Sequence, residues 1–143
     1  MFRMIASGLA LSLALTGAAA AENFEVKMLN RGDADRMIFE PAFLRIAIGD
    51  TVKFIAEDRG HNAESIAEMM PEGAEVFEGR INEEIVATFD IEGVYGVRCK
   101  PHYALGMVMT IVVGDVAQAP KGFLEGRIPR SAMKRFEEQL SGL

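Results

Sequence analysis

Cysteine and histidine are nearly absent from this chain of 143 residues, which carries one of the first and two of the second. A lone cysteine can close no internal disulfide. The fold must therefore rest on its core, and a chain of this length can bury a single core without covalent staples. No long apolar run recurs after the first 16 residues, so nothing later in the chain reads as a membrane span. Blocks of Lys or Arg are missing as well. Fifteen basic residues face 21 acidic ones, a formal charge of −6 that argues against nucleic acid as a partner. The chain shows no repeat, low-complexity tract or second domain.

The first residues have a different character. A positive charge at Arg3, an apolar run over residues 5–16 and the small residues Gly17 and Ala18 to Ala21 form the pattern of a secretory signal peptide, too short to span a bilayer. Cleavage is expected after Ala21, with the preceding bond as the near rival, giving a leader at 1–21 and a domain at 22–143. An uncleaved anchor is the competing reading. Loss of Arg3 makes the mature chain one unit more negative. Export leads to an oxidising compartment, where cysteines usually pair, so a solitary exported thiol needs another purpose.

From Phe24 onward, apolar and polar residues alternate with the period of a half-buried strand. Similar short runs lie at 37–39, 44–48, 52–55, 85–89, 94–99 and 107–113, with turn residues such as Gly49-Asp50 between them. Seven or eight such strands predict an antiparallel sandwich with Greek-key connections. Residues 65–70, stopped by Pro71, read as a turn or two of helix. After Pro129, Ala132, Met133, Phe136 and Leu140 recur at helical spacing and predict an amphipathic C-terminal helix packed on the sandwich. The glycine-rich stretch 120–126 predicts no more than a helical turn.

Both histidines and the cysteine fall in one constellation: His61, then Cys99-Lys100-Pro101-His102 and Met107. A thiolate, two imidazoles and a thioether are the ligand set of a mononuclear blue-copper centre, which holds the metal in a compromise between the preferences of its two oxidation states. Strand parity places Cys99 on the inward face with Tyr95 and Val97. His61 follows the strand at 52–55, and in a sandwich such loops can gather at one end. Met37, Met69, Met70 and Met109 are expected to be packing residues. A structural zinc site would want four Cys or His ligands, for which a methionine is a poor substitute. A cysteine nucleophile activated by histidine remains conceivable, but no third orienting group stands in the loop and Met107 would be unexplained. Electron transfer accounts for all four residues.

At these residues the chain resembles the pseudoazurin family of small cupredoxins. The likeness extends over essentially the whole mature chain, through residues 22–30, Phe39-Glu40-Pro41, Gly49 to Val52, Gly60 to Ile66, Pro71 to Glu75, Ile81-Asn82 and Cys99 to Met107. It implies an all-β, eight-stranded Greek-key cupredoxin sandwich with a C-terminal helical segment. It also implies one type 1 copper bound by His61, Cys99, His102 and Met107. Asn62 would tie the two ligand loops together and donate its backbone N–H to the Cys99 sulfur, while Pro101 withholds a second donor. The family's members are periplasmic electron carriers rather than enzymes, so the expected partners are redox proteins: copper nitrite reductase as acceptor in denitrification and a cytochrome or similar donor. The carrier itself is expected to be a monomer. A periplasmic copper-trafficking protein is the alternative. Lys100, where the family usually has a neutral residue, and a shorter, more broken C-terminal stretch depart from the pattern. Arg31, Arg59, Arg98 and Lys100 lie in or beside the ligand loops and could form a positive docking rim.

Overall fold

The alternating pattern that begins at Phe24 produces β1 (Asn23–Arg31), whose Val26 and Met28 are buried while Glu25 and Lys27 face solvent. In a computed structural model, which describes residues 19–143, it is followed by β2 (Arg36–Glu40), β3 (Phe43–Ile46), β4 (Thr51–Ile55), β5 (Glu64–Ser65), β6 (Ile85–Thr88), β7 (Gly93–Arg98) and β8 (Val108–Val113). One α-helix, α1 (Arg130–Leu140), ends the chain. The expected leader at 1–21 lies outside the described residues except for its last three, which carry no secondary structure.

Two four-stranded sheets form, in the orders β2-β1-β4-β6 and β3-β8-β7-β5. The expectation of a purely antiparallel sandwich is corrected here, because β1 pairs with β4 and β3 with β8 in parallel. Alternation fixes which side chains face inward but is silent on the direction of the neighbouring strand. The two-residue strand β5 is too short to show any period. The helical reading of 65–70 reduces to one 3-10 turn at Ala67–Met69.

Between the sheets lies one apolar core, in which Val26, Met28, Phe39, Val52, Phe54, Val97, Met109 and Ile111 are fully or almost fully buried. Phe89 and Tyr95 meet edge to face there, with ring centroids 5.1 Å apart. The second sheet is covered on its outer face too. Val94, Val108 and Val112 point away from the sandwich and pack with Phe123, Ala132 and Phe136 in a second cluster. This explains why all six residues of β8 are buried and why its sequence, apolar at every position but Thr110, does not alternate. Burying a phenylalanine such as Phe136 contributes about 1.5–3 kcal/mol, so the helix stabilises the sheet it covers. Thr110, a polar residue on that covered face, donates its hydroxyl to Gln139 Oε1 of α1 at 2.8 Å. No buried side-chain polar atom among the described residues is left without a partner.

Two connections meet at one end of the sandwich. The chain after β4 runs through residues 56–63 and the chain between β7 and β8 through 99–107, and both emerge beside the C-terminal end of β1. Among the described residues, no helix is long and apolar enough to cross a membrane.

Candidate metal centre

Cys99 follows the last residue of β7, on the same strand face as Tyr95 and Val97, and all three are buried in the inter-sheet core. Beyond it the chain turns through a 3-10 segment, Lys100–Leu105, that has Pro101 near its start and stops at Gly106. Gly106 has a φ of 90°, a left-handed conformation that suits a residue without Cβ and reverses the chain into β8. Backbone hydrogen bonds close the loop. Met107 N–H donates to the His102 carbonyl at 3.1 Å, and Cys99 N–H donates to the Met107 carbonyl at 3.0 Å. Three of the four residues singled out in the sequence are thus held by one short ring of backbone.

His61 arrives from the other loop. Gly60, at φ 96°, donates its N–H to Asn82 Oδ1 at 2.7 Å, and Asn82 N–H donates to the His61 carbonyl at 2.8 Å, so the 80–83 turn grips the peptide that carries the imidazole. The side chain is fixed at its far nitrogen. Nε2 lies 2.8 Å from Asn30 Oδ1 at the end of β1. An amide oxygen only accepts, so Nε2 carries the hydrogen and Nδ1 keeps its lone pair free for a metal.

The donor atoms converge. His61 Nδ1 and His102 Nδ1 are 3.1 Å apart, and Cys99 Sγ lies 3.7 Å from the first and 3.6 Å from the second. A point equidistant from all three sits about 2 Å from each, the length of an imidazole bond to a first-row divalent ion. His61, Cys99 and Met107 are fully buried, and only His102 is partly exposed. Met107 shares the apolar cluster that contains Cys99, and its backbone bonds to both Cys99 and His102. The residues present therefore fit a metal that favours two nitrogens and a thiolate in one plane, with a weak thioether beside it, and copper is that metal. Met69 and Met109 are buried and Met37 and Met70 are half-buried, all packed in the apolar clusters.

Asn62 links the two loops, as the family resemblance implied. Its Oδ1 accepts the Lys100 N–H at 2.7 Å, and its Nδ2 donates to the Gly79 carbonyl at 3.0 Å and to Glu64 Oε2 at 3.1 Å. Burial pushes the Cys99 thiol up from its ordinary pKa, while the backbone N–H groups of Asn62 and His102 favour the thiolate. The His102 N–H itself donates to the Cys99 carbonyl at 3.2 Å, closing the first turn after the thiol. His61 is held below its usual 6.5 by burial first and by the neighbouring His102 second, against a smaller opposing effect of Asp58. Desolvation so favours the neutral imidazole that a metal requires.

Several supporting residues carried no signal that residue type could give. Asn30, Glu64 and Asn82 lie in stretches that resemble the family, yet nothing in their spacing announces that one fixes a histidine tautomer and another grips its peptide. Glu64 is buried and accepts from Arg98 Nε at 2.6 Å, and the Arg98 guanidinium lies 5.1 Å over the Tyr103 ring. Arg98 is therefore a paired charge, which narrows the expected rim to Arg31, Arg59 and Lys100, all exposed.

Residues 26–114 match the family described as copper binding proteins of the plastocyanin/azurin family. The chain is similar to a pseudoazurin of Paracoccus pantotrophus, 39% identical over 96% of this chain and 94% of that protein. A pseudoazurin of Methylorubrum extorquens is 48% identical over 77% of this chain and 74% of its own length. Among solved structures, the pseudoazurin of Methylobacterium extorquens AM1 superposes with a TM-score of 0.79 at 39% identity, covering 84% of this chain and 98% of that one. The native pseudoazurin of Hyphomicrobium denitrificans gives 0.75 at 35% identity, covering 85% and 98%.

The raised thiol pKa has a direct consequence for the copper-free protein. Thiolate is the species that reacts, and burial delays its formation, so alkylation of Cys99 in the folded chain should accelerate only above the ordinary value of 9.0. The unfolded chain releases its proton first, so folding stability should fall as the pH rises past that value. The measurement is the rate of iodoacetamide labelling against pH, folded and in denaturant. An inflection at or below 9.0 in the folded protein would contradict it.

Proposed function

We propose, for a chain that belongs to the plastocyanin/azurin family of copper binding proteins and within it to the pseudoazurins, that it is a periplasmic type 1 copper protein passing single electrons between redox partners. Pseudoazurins are electron carriers rather than enzymes. The ligands in this reading are His61, Cys99, His102 and Met107. The observation that carries it is the convergence of Cys99 Sγ and two Nδ1 atoms on one point, with Asn30 fixing the tautomer of His61. Copper, when bound there, supplies a one-electron couple whose geometry the protein holds nearly constant.

The chain's own residues supply the rest. A cargo protein must release its metal, whereas here His61, Cys99 and Met107 are fully buried and two loops are tied together by Asn62. That rigidity favours a carrier that retains copper over a trafficking protein. The partly exposed His102 ring is the natural exit for an electron, flanked by exposed Pro101 and Ala104 and by Leu105, 56% exposed. Adding copper(II) to the purified chain should give intense thiolate-to-copper absorption. Cys99→Ala should abolish it, and Met107→Leu should keep coloured copper with an altered reduction potential, because an axial thioether binds weakly. A surviving blue chromophore in Cys99→Ala would end this reading.

The proposed mature domain begins at Glu22. Its backbone nitrogen donates to Asp50 Oδ1 at 2.7 Å, and Asp50 is buried and also accepts the Ala47 N–H at 2.7 Å. Cleavage after Ala21 would turn that nitrogen into an ammonium paired with a buried carboxylate, a stronger interaction than the amide makes. Mass spectrometry of the exported protein should give the mass of residues 22–143. A chain retaining residues 1–21 would reject the boundary.

Copper nitrite reductase is the acceptor we propose. Arg31, Arg59 and Lys100 are exposed in or beside the loops that carry the centre, although the molecule as a whole is acidic. Charges on such a rim mainly steer encounter and are screened over about 10 Å at 0.1 M salt. Reaction with a nitrite reductase bearing an acidic docking face should slow as salt rises. Arg59→Glu combined with Lys100→Glu should slow it further while leaving the spectrum unchanged. A rate that climbs with salt would show that whole-molecule repulsion governs docking and would reopen the partner assignment.

A further inference from the structure

The C-terminal helix covers the second sheet with its apolar residues, and beside that face runs a polar stripe at a spacing of four: Ser131, Arg135 and Gln139. All three are directed at the short segment that contains Met107. Gln139 Nε2 donates to the Val108 carbonyl at 3.0 Å and its Oε1 accepts from Thr110. The Ser131 carbonyl packs against Gly106 so closely that a Cβ placed there would lie 3.0 Å from its oxygen. Arg135 makes the most exacting contact. Its Nη1 donates to the Gly106 carbonyl at 2.8 Å and to the Met37 carbonyl at 2.7 Å, and its Nη2 donates to the Arg36 carbonyl at 2.8 Å.

A guanidinium of this kind is usually matched to a carboxylate. Here the acceptors are three main-chain carbonyls, and the nearest carboxylate oxygen, on Asp35, is 3.9 Å away. The side chain is only 18% exposed, so its donors have been taken largely out of water to make these bonds. The planar fork holds two chain segments at once in a fixed geometry, which a flexible ammonium on a longer-ranging stem does not impose. One of them is the start of β2, where Met37 sits at a φ of 52°, a left-handed conformation uncommon for a residue with a side chain. The other is the peptide immediately before Met107.

We propose that Arg135 is a positioning residue for the metal centre: its guanidinium fastens Gly106 to the start of β2 and so holds the backbone that presents Met107. The helix thereby acts on the site as well as on the sheet. This inference rests on the copper reading for its spectroscopic consequence but not for its mechanical one. In the copper-free protein, the Met107 N–H bonded to His102 should be protected by the clamp, whatever metal the site takes.

The test compares Arg135→Gln, Arg135→Lys and Phe136→Leu with the parent, with and without copper(II). Phe136→Leu loosens the helix packing while leaving every Arg135 hydrogen bond in place, so it reports what general destabilisation does. In the copper-free chains, hydrogen exchange at Met107 N–H relative to Ile111 N–H should speed up by about tenfold or more in Arg135→Gln and stay near the parent ratio in Phe136→Leu. In the copper-loaded chains, Arg135→Gln should change the relative strength of the thiolate-to-copper bands and the rhombicity of the electron-paramagnetic-resonance spectrum. Phe136→Leu should only lower the melting temperature. Arg135→Lys retains the charge and loses the fork, so it should behave like Arg135→Gln; full recovery by lysine would mean that charge, not clamping, is at work and would overturn the proposal. An unchanged exchange ratio in Arg135→Gln would overturn it as well. If the parent chain gives no thiolate colour with copper, the metal reading fails, and the exchange ratio still decides the role of Arg135.

Discussion

Asn62 is the residue on which the rest of the site depends. Its amide oxygen takes the Lys100 N–H, its amide nitrogen satisfies the Gly79 carbonyl and Glu64, and its own main chain lies next to His61 on one side and against the Cys99 sulfur on the other. Three loops that are far apart in sequence are thereby fixed in one buried corner. A convergent triangle of donors has an inherent problem, since two imidazole nitrogens and a thiol must be crowded together in a place without water. The cost is met by the surrounding hydrogen bonds, not by any attraction among the donors themselves.

The same logic extends outward. Asn30 and Asn82 each grip one part of His61, its ring and its peptide, so that the imidazole has neither rotational nor tautomeric freedom. Glu64 braces Asn62 and is in turn paired with Arg98. On the far side of β8, a sheet buried on both faces gives the ligand loop a rigid floor, and the C-terminal helix closes that floor with Phe136 and Ala132. A site built this way changes little when its charge changes, which is what rapid exchange of single electrons requires.

The candidate ligand residues were legible because the chain is so poor in their types. With one cysteine and two histidines in 143 residues, their identities and the short spacing from Cys99 to Met107 carry the chemistry without any structure. Strand parity around Cys99 was legible for the same reason that β1 was: alternation over a half-buried strand has a period of two. The run at 107–113 was legible as a strand, but not that both of its faces would be buried or what would cover the second. Arg98 illustrates the opposite case. Its position beside the ligand loop suggested a free docking charge, and only the approach of Glu64, 34 positions away, shows it to be paired.

Composition, periodicity and the one clustered motif determined by themselves that this is a β-sandwich with a C-terminal helix and a copper-type donor set, because those features depend on residue type and on spacing along the chain. The parallel pairing of β1 with β4 and of β3 with β8, the grip of Asn30 and Asn82 on His61, and the reach of Arg135 to Gly106 were decided by the tertiary structure alone. Each joins segments that are neighbours only after folding. Hydrogen bonds between such segments leave no periodic trace in the sequence, since a single asparagine or arginine reads the same whether it meets solvent or the one carbonyl on which a site is built.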